Sequence, residues 1–262
     1  MMRSLSIGAT GMLAQQLNVE VISNNLANMS TTGFKRQRAE FQDLLYENLK
    51  RMGTTSSDAG TVIPSGIQLG TGVKTGSVYR IMGQGNMNMT ENTYDLGIQG
   101  EGYFRIQLPS GDEAYTRAGA LQLNGNGELV TQDGYAVQPG IVIPANAVEV
   151  SISASGEVAV TLTGQVAPQV VGQLDLATFI NPAGLEATGN NLFLETPASG
   201  TPTIGIPGSA GYGTLLQGYV EVSNVNPVQE ITNLISAQRA YELNSKVITA
   251  SDEMLQTITQ LR

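Results

Sequence analysis

The chain has 262 residues, enough for one large or two modest domains, and it is acidic, with 22 Asp and Glu against 13 Lys and Arg and a formal net charge of −9. An acidic chain lacks the positive surface that displaces counterions from nucleic acid, so we expect no nucleic-acid partner. Cys, His and Trp are absent. Their absence excludes disulfides, thiol or imidazole catalysis, and zinc, haem or iron–sulfur sites, and leaves only oxygen-ligated cations open.

The hydropathy pattern predicts no membrane insertion, because no stretch approaches about 18 consecutive apolar residues. The N-terminus carries one early positive charge, at Arg3, but Gly8, Gly11, Gln15 and Gln16 interrupt any apolar core of a secretory signal. We therefore expect the chain to be either cytoplasmic or exported by a route that leaves its N-terminus uncleaved.

The first predicted element is an N-terminal amphipathic helix, whose apolar residues recur at steps of three and four. Its predicted packing residues are Leu5, Met12, Val19 and Leu26. Gly8 and Gly11 fall within this pattern, and each should weaken the helix by about 1 kcal/mol relative to Ala. Asn24, Asn25 and Asn28 favour a helix end near residue 28, because short amide side chains compete for backbone hydrogen bonds.

Residues 31–72 are predicted to form a junction region with a polar insert. Within it, residues 40–46 fit either a short helix or an extended segment, and both stay open at this point. Residues 53–60 read Gly-Thr-Thr-Ser-Ser-Asp-Ala-Gly, the composition of a linker or an exposed hairpin, inside a polar insert that spans about Tyr46 to Ile63. Lys35 begins the one basic run, Lys-Arg-Gln-Arg, which is typical of a solvated surface.

Residues 73–225 are predicted to form a β-rich domain. Apolar and polar residues alternate around 104–108, 148–152 and 158–162, and Gly-containing turn signals separate such runs every 8–12 residues. This spacing is typical of short antiparallel strands joined by hairpins.

The last predicted element is a long helix that begins at Asn226 as N-cap and Pro227 as first helical residue, with Glu230 in the first turn. Apolar residues then recur at steps of seven, a coiled-coil spacing. They are Leu234, Tyr241, Ile248 and Leu255, with a second series of Val247, Met254 and Leu261 and an additional Ile258.

Together these elements predict an α+β fold, with long N- and C-terminal helices paired as a coiled-coil-like arm around an inserted, mainly antiparallel β domain. The predicted division is 1–30 with 226–262 as a helical domain, 31–72 as the junction region, and 73–225 as the β domain. Burial of one apolar stripe stabilises the arm by less than the ordering of its backbone costs, which favours arms that order fully only against other subunits. An ordinary helical hairpin that caps the β domain fits the same spacing.

No residue is predicted to be catalytic, and no cofactor is expected. Asn124, Asn126 and Glu128 imitate the alternating oxygens of a calcium loop, but Leu129 stands where such a loop needs Gly, so we predict no metal site there. The neighbouring carboxylates Asp112 and Glu113 lie in a predicted turn, where they would not face each other across a cleft as a glycosidase requires.

Three separated groups of residues resemble those of one known family. Near the N-terminus they are Asn24, Asn25, Leu26 and Asn28, followed by Gly33, Phe34 and Lys35; in the centre they are Gly102-Tyr103-Phe104 and Tyr115-Thr116-Arg117-Ala118-Gly119; near the C-terminus they are Ser223-Asn224-Val225-Asn226, Gln238, Arg239, Ala240, Tyr241 and Glu242, and Asp252-Glu253-Met254-Leu255. In this order and over nearly the whole chain, they resemble the bacterial flagellar rod and hook axial proteins. Chain length and the segment Phe41–Gly72 are most similar to the distal-rod branch of that family.

The resemblance implies a structural subunit of the distal rod, which polymerises into a rigid helical tube and transmits torque from the motor to the hook. It implies no enzyme activity and a location in the flagellar basal body within the periplasm. The partners it implies are further copies of the chain, proximal rod subunits, hook subunits or the hook–rod junction, the surrounding P and L ring proteins, and the flagellar type III export apparatus. A hook or proximal-rod subunit stays open as an alternative, and so does a periplasmic carbohydrate-binding or peptidoglycan-cleaving module, although the sequence offers that module no aromatic platform.

Overall fold

A computed structural model describes residues 2–53, 65–165 and 167–260, without the side chain of Met2. The predicted linker at 53–60 therefore lies outside the described residues except for Gly53, and so does most of the polar insert. Leu261 of the second apolar series also lies outside them.

Two long helices stand at the ends of the chain. Helix α1 spans Met2–Ala27 and helix α2 spans Pro227–Gln260. The predictions that the first helix ends near Asn28 and that the second begins at Pro227 are confirmed. No helix in the described part of the chain is long and apolar enough to cross a membrane.

Every strand lies between the two helices, so the predicted α+β class with an inserted β domain is confirmed. A short 3₁₀ helix at Pro182–Gly184 interrupts the strands. The strands are β1 (Gln37–Asp43), β2 (Tyr46–Lys50), β3 (Ile67–Gly70), β4 (Val73–Arg80), β5 (Met87–Met89), β6 (Leu96–Gln99), β7 (Phe104–Gln107), β8 (Glu113–Thr116), β9 (Gln122–Leu123), β10 (Leu129–Val130), β11 (Ala136–Val137), β12 (Ala147–Ile152), β13 (Glu157–Leu162), β14 (Gln169–Gln173), β15 (Leu176–Thr178), β16 (Glu186–Gly189), β17 (Leu192–Leu194), β18 (Thr203–Gly205), β19 (Thr214–Gln217) and β20 (Tyr219–Glu221).

The chain forms two compact units. The first, called here the helical unit, comprises the described residues of Met1–Leu26, Gln37–Tyr79 and Pro227–Arg262, and the second, the β unit, comprises Ala27–Arg36 and Arg80–Asn226. The three-part division expected from the sequence stays a prediction.

The helical unit contains two small sheets besides its helices. Strand β1 pairs with β4, and β2 pairs antiparallel with β3. Residues 40–46, for which helix and extended chain were both open, are therefore extended. Along β1 the half-buried and exposed residues alternate at first, as in a strand with one covered face.

The β unit is organised around an antiparallel sheet of seven strands in the order β16-β17-β8-β7-β11-β10-β9. A three-stranded sheet β12-β13-β14 and three two-stranded pairs complete the unit, and the pairs are β15–β18, β19–β6 and β20–β5. Most of the alternating residues predicted from sequence supply the core, with Phe104, Ile106, Val158 and Val160 fully buried, but Val148 is 71% exposed beside a register shift in β12. A second cluster stacks Tyr103, Tyr115, Phe179 and Phe193 edge to face, with ring centroids 4.8–6.2 Å apart.

Gly119 illustrates how a motif residue serves this core. A Cβ at this position would collide with the backbone carbonyl of the buried Leu96. The Leu96 amide in turn donates a hydrogen bond of 2.9 Å to the Gly119 carbonyl. The two backbones approach closely because residue 119 has no side chain.

Candidate assembly site

The seam between the two helices is built from small and polar residues. The Ser251 hydroxyl lies 3.1 Å from that of Ser4, and a Cβ added at Gly8 would stand 2.9 Å from Ile248 Cγ1. Because later residues of α1 meet earlier residues of α2, the helices are antiparallel. Gly8 and Gly11, expected from sequence only to weaken the helix, lie against α2, where a Cβ at either position would stand less than 3 Å from Ile248 or Asn244.

A buried amide closes the far end of this seam. Asn25 Nδ2 donates to Glu230 Oε2 at 3.2 Å and to the Gln37 carbonyl at 2.8 Å, while its Oδ1 accepts from the Gln37 amide at 2.8 Å. Asn25 and Glu230 are both buried. The side chain of Asn25 thus bonds to strand β1 as a neighbouring strand would and at the same time holds α2, so this motif residue fixes three elements of the helical unit.

Ile248 lies against Gly8 in the seam, and the packing residues predicted from sequence are as a set less covered than the buried Gly8 and Ser251. Seven of them are half-buried: Leu5, Met12, Val19, Leu26, Leu234, Ile248 and Leu255. Tyr241 remains 44% exposed, whereas the fully buried residues of α2 are Glu230, Ala237 and Ser251. That these predicted residues pack between helices in an assembly stays a prediction.

One side of α2 presents apolar residues to solvent. Leu243, Val247, Met254 and Ile258, called here the outer stripe, are separated by four, seven and four residues and therefore share one face of the helix. They are between 47% and 61% exposed. Such a contiguous apolar face is unusual on a monomer and marks an interaction surface.

A buried ion cluster lies within the β unit. The single carboxylate of Glu221 accepts from Lys35 Nζ at 2.6 Å and from Arg117 Nε at 2.6 Å, and the Gly85 amide donates to the same carboxylate at 2.7 Å. All three side chains are buried. We call Lys35, Arg117 and Glu221 the junction cluster.

The remaining donors of the junction cluster are directed at backbone carbonyls. Lys35 Nζ reaches the Gly83 carbonyl at 2.9 Å, and Arg117 reaches those of Gly102 at 2.9 Å and Gly100 at 2.5 Å. With every charged group hydrogen-bonded, the desolvation cost of burying these charges is offset.

The pKa values of the junction cluster reflect burial and charge together. Burial lowers the pKa of the Lys35 ammonium, and its attraction to Glu221 only partly opposes that change. Burial raises the pKa of Glu221, but the charges of Arg117 and Lys35 and their hydrogen bonds outweigh burial, so that this pKa is lowered overall. The expectation that the basic run is solvated is therefore wrong for Lys35.

The other motif residues divide between the two units. Gly33 is buried in the β unit with a φ of +71°, where its amide donates to the Glu221 carbonyl at 2.8 Å. Phe34 and Asn28 are half-buried nearby along the chain, whereas Asn24, Gln238 and Arg239 are exposed on the helices. The structure thus brings Gly33 and Lys35 to Glu221, and Asn25 to Glu230, but does not gather the motif into one site.

Sequence reasoning missed Glu221 and Glu230 as buried acids. In the sequence Arg117 stands out only as part of the family resemblance, and an isolated acidic residue in a short strand, such as Glu221, carries no periodic signal of burial. In the turn at Asn124, Asn124 Oδ1 accepts from the amides of Asn126 and Glu128, both at 2.9 Å, and Glu128 Oε2 accepts from Asn124 Nδ2 at 2.7 Å.

Three family models match the chain in succession. A model described as flagella basal body rod protein matches residues 5–35, one described as flagellar hook protein FlgE/F/G D1 domain matches 97–160, and one described as flagellar basal body rod FlgEFG protein C-terminal matches 216–261. The chain is also 61% identical to the flagellar basal-body rod protein FlgG of Caulobacter vibrioides, over 100% of both chains. The chain belongs to the flagellar rod and hook protein family.

Other members of the rod and hook family match over the same extent. Proteins with the same description from Buchnera aphidicola and Bacillus subtilis are 52% and 40% identical, again over 100% of each chain. The resemblance seen in the sequence is confirmed, and these full-length matches also support its placement nearest the distal-rod branch.

Each of the three matched regions contributes one residue to the junction cluster. Lys35 ends the first region, Arg117 lies in the second, and Glu221 lies in the third. In this member of the rod and hook family, residues distant in sequence therefore meet in one buried ion cluster.

Proposed function

We propose that the chain is a non-enzymatic structural subunit of the flagellar distal rod, which polymerises into a rigid helical tube and transmits torque from the motor to the hook. The full-length similarity to proteins described as basal-body rod proteins supports this proposal. Its partners would be further copies of the chain, the proximal rod and hook subunits at either end, the surrounding P and L rings, and the type III export apparatus in the periplasm-spanning basal body.

The outer stripe is the single observation that carries the proposal of self-assembly. Leu243, Val247, Met254 and Ile258 are between 47% and 61% exposed along one face of α2, although a soluble monomer would gain by covering them. A contact in which one patch meets a different patch on the next copy generates an open helical filament when the rotation does not close.

Assembly of the purified full chain tests the proposal directly. Concentration of the protein should yield straight tubes by electron microscopy and a steep increase in sedimenting material. A chain that stays monomeric at every concentration would refute the polymer, and the binding-module alternative would then be tested with isolated cell wall.

The contribution of the outer stripe is measured with a matched pair of substitutions. Val247→Asp places a carboxylate in the stripe, whereas Thr249→Asp places one at an exposed residue of the same helix outside it. Because a carboxylate buried in an apolar contact is costly, Val247→Asp should raise the critical concentration at least about tenfold. Equal effects of the two substitutions would contradict a role for this face.

The position along the axial structure separates the distal rod from the family alternatives. Gold-labelled antibody against the chain should decorate purified axial structures between the proximal rod and the hook. Decoration of the hook, or of the part next to the motor, would assign the chain to another subunit of the same family.

A further inference from the structure

The junction cluster ties together the two chain segments that continue into the terminal helices. Lys35 lies in the segment that follows α1, and Glu221 ends strand β20, shortly before α2. Their side chains meet although 186 residues separate them in sequence. Both segments, 27–36 and 219–226, belong to the β unit.

Further hydrogen bonds, one between two backbone groups and the others through the Asn224 side chain, join the same two segments next to the charged groups. The Gly33 amide donates to the Glu221 carbonyl at 2.8 Å, and the Arg36 amide donates to Asn224 Oδ1 at 2.7 Å. Asn224 Nδ2 then donates to the carbonyls of Ile81 and Gly83, both at 2.9 Å. These bonds fix residues 33–36 and 221–224 against each other and against residues 81–85.

The charges of the junction cluster are not equal in importance. Two cations share one carboxylate, so loss of Glu221 would leave Lys35 and Arg117 buried without an anion. Loss of the Lys35 charge would instead leave Arg117 and Glu221 as a balanced pair. Glu221 is therefore the residue on which the arrangement depends.

We propose that this arrangement is a preformed clamp, which holds the segment that follows α1 and the segment that precedes α2 side by side in the free subunit whether or not those helices are ordered, with Glu221 as its positioning residue. All the contacts of the clamp lie within the β unit, whose core is extensive and does not involve the helices. A clamp of this kind shortens the loop that must close when the two helices pair, because their adjoining ends are already together.

Hydrogen exchange on the full-length free subunit tests the clamp, with peptides that cover residues 31–38, 79–86 and 219–225. In the wild-type chain these peptides should exchange slowly, at rates similar to strands β12 and β13, even where peptides from α1 and α2 exchange fast. The test does not involve polymerisation, so its outcome is separate from that of the proposed function.

Four variants assign the protection to particular groups. Glu221→Gln should speed hydrogen exchange of the clamp peptides on the order of a hundredfold, since it leaves two buried cations without an anion, and should leave the exchange rates of β12 and β13 unchanged. Lys35→Met should speed it less than about tenfold. Asn224→Ala removes three clamp hydrogen bonds without exposing a charge and should also act on the clamp peptides alone, which keeps the test informative if Glu221→Gln does not fold. Glu113→Gln, which breaks the exposed ion pair with Arg105, should leave the clamp peptides unchanged.

Three results would overturn the proposal. The first is clamp peptides that exchange much faster than those of β12 and β13 in the wild-type chain, and the second is protection that Glu221→Gln and Asn224→Ala both leave intact. The third is that Asn224→Ala speeds hydrogen exchange in β12 and β13 as much as in the clamp peptides. That result would mean that the clamp residues contribute to the general stability of the β unit.

Discussion

The close approach of two backbones at Gly119 gives a sharp prediction for the β unit. Gly119→Ala would drive a Cβ into the carbonyl group of Leu96, a fully buried residue whose backbone cannot move without disturbing strand β6. Overpacking of a filled core costs about 1–3 kcal/mol, and a clash with backbone rather than a flexible side chain places this substitution at about 3 kcal/mol.

A second Gly→Ala substitution isolates the steric effect. Gly125 has no heavy atom within 4 Å of an added Cβ, and its φ lies outside the left-handed region. Gly125→Ala should be neutral or stabilise by about 0.4–1 kcal/mol through the unfolded state. Because both substitutions restrict the unfolded chain similarly, their difference of roughly 3–4 kcal/mol measures the clash alone.

Urea denaturation followed by far-ultraviolet circular dichroism measures this difference, provided that the slope of the transition is the same in both variants. In thermal unfolding, Gly119→Ala should lower Tm by about 6–12 °C for a unit of this size. A Gly119→Ala variant within about 0.5 kcal/mol of Gly125→Ala would refute the close approach of residues 96 and 119.

Two other predictions concern pH and the helical seam. Burial, and then the charge of Glu113, raise the pKa of Tyr115 to about 12 from an ordinary value of 10.0. Because the folded state then holds the phenol proton more tightly than the unfolded state, the free energy of unfolding should fall as pH rises from 10 to 12. Tyr115→Phe should lose less stability over this interval, and an equal pH dependence of stability in the two proteins would contradict the shift. The double substitution Ser4→Cys with Ser251→Cys should give an intramolecular disulfide under mild oxidation, because the two hydroxyls are 3.1 Å apart in a chain without cysteine. The control pair Ser4→Cys with Glu253→Cys, in which the second cysteine is moved by two residues along α2, should form far less disulfide. Equal disulfide yields would contradict the antiparallel register.

Sequence patterns predicted the elements whose signals are local. The Asn-Pro pair at 226–227 defined the start of α2, and alternation at 104–108 and 158–162 predicted strands whose inward residues are fully buried. Both signals depend on a few neighbouring residues, and nothing distant overrides them.

The features that the sequence did not reveal depend on distant partners. Lys35 belongs to a run that is typical of solvent, and only the meeting with Glu221 and Arg117 makes its burial tolerable. In the same way, Gly8 and Gly11 count against a helix in isolation, yet Ile248 and Asn244 occupy the space that their missing side chains leave. Helix propensity describes a single helix, whereas the packing at the seam depends on the residues of both helices.

The separation of 186 residues between Lys35 and Glu221 also bears on when this protein finishes folding. A chain released with its N-terminus first cannot form that ion pair until almost all of the β unit has followed. Closing so long a loop is slow compared with local hairpin formation, because the entropy of closure is lost before any contact compensates for it. In such a chain the segment carrying Lys35 cannot meet Glu221 until residue 221 has followed, so the end of α1 and the start of α2 are held together only late.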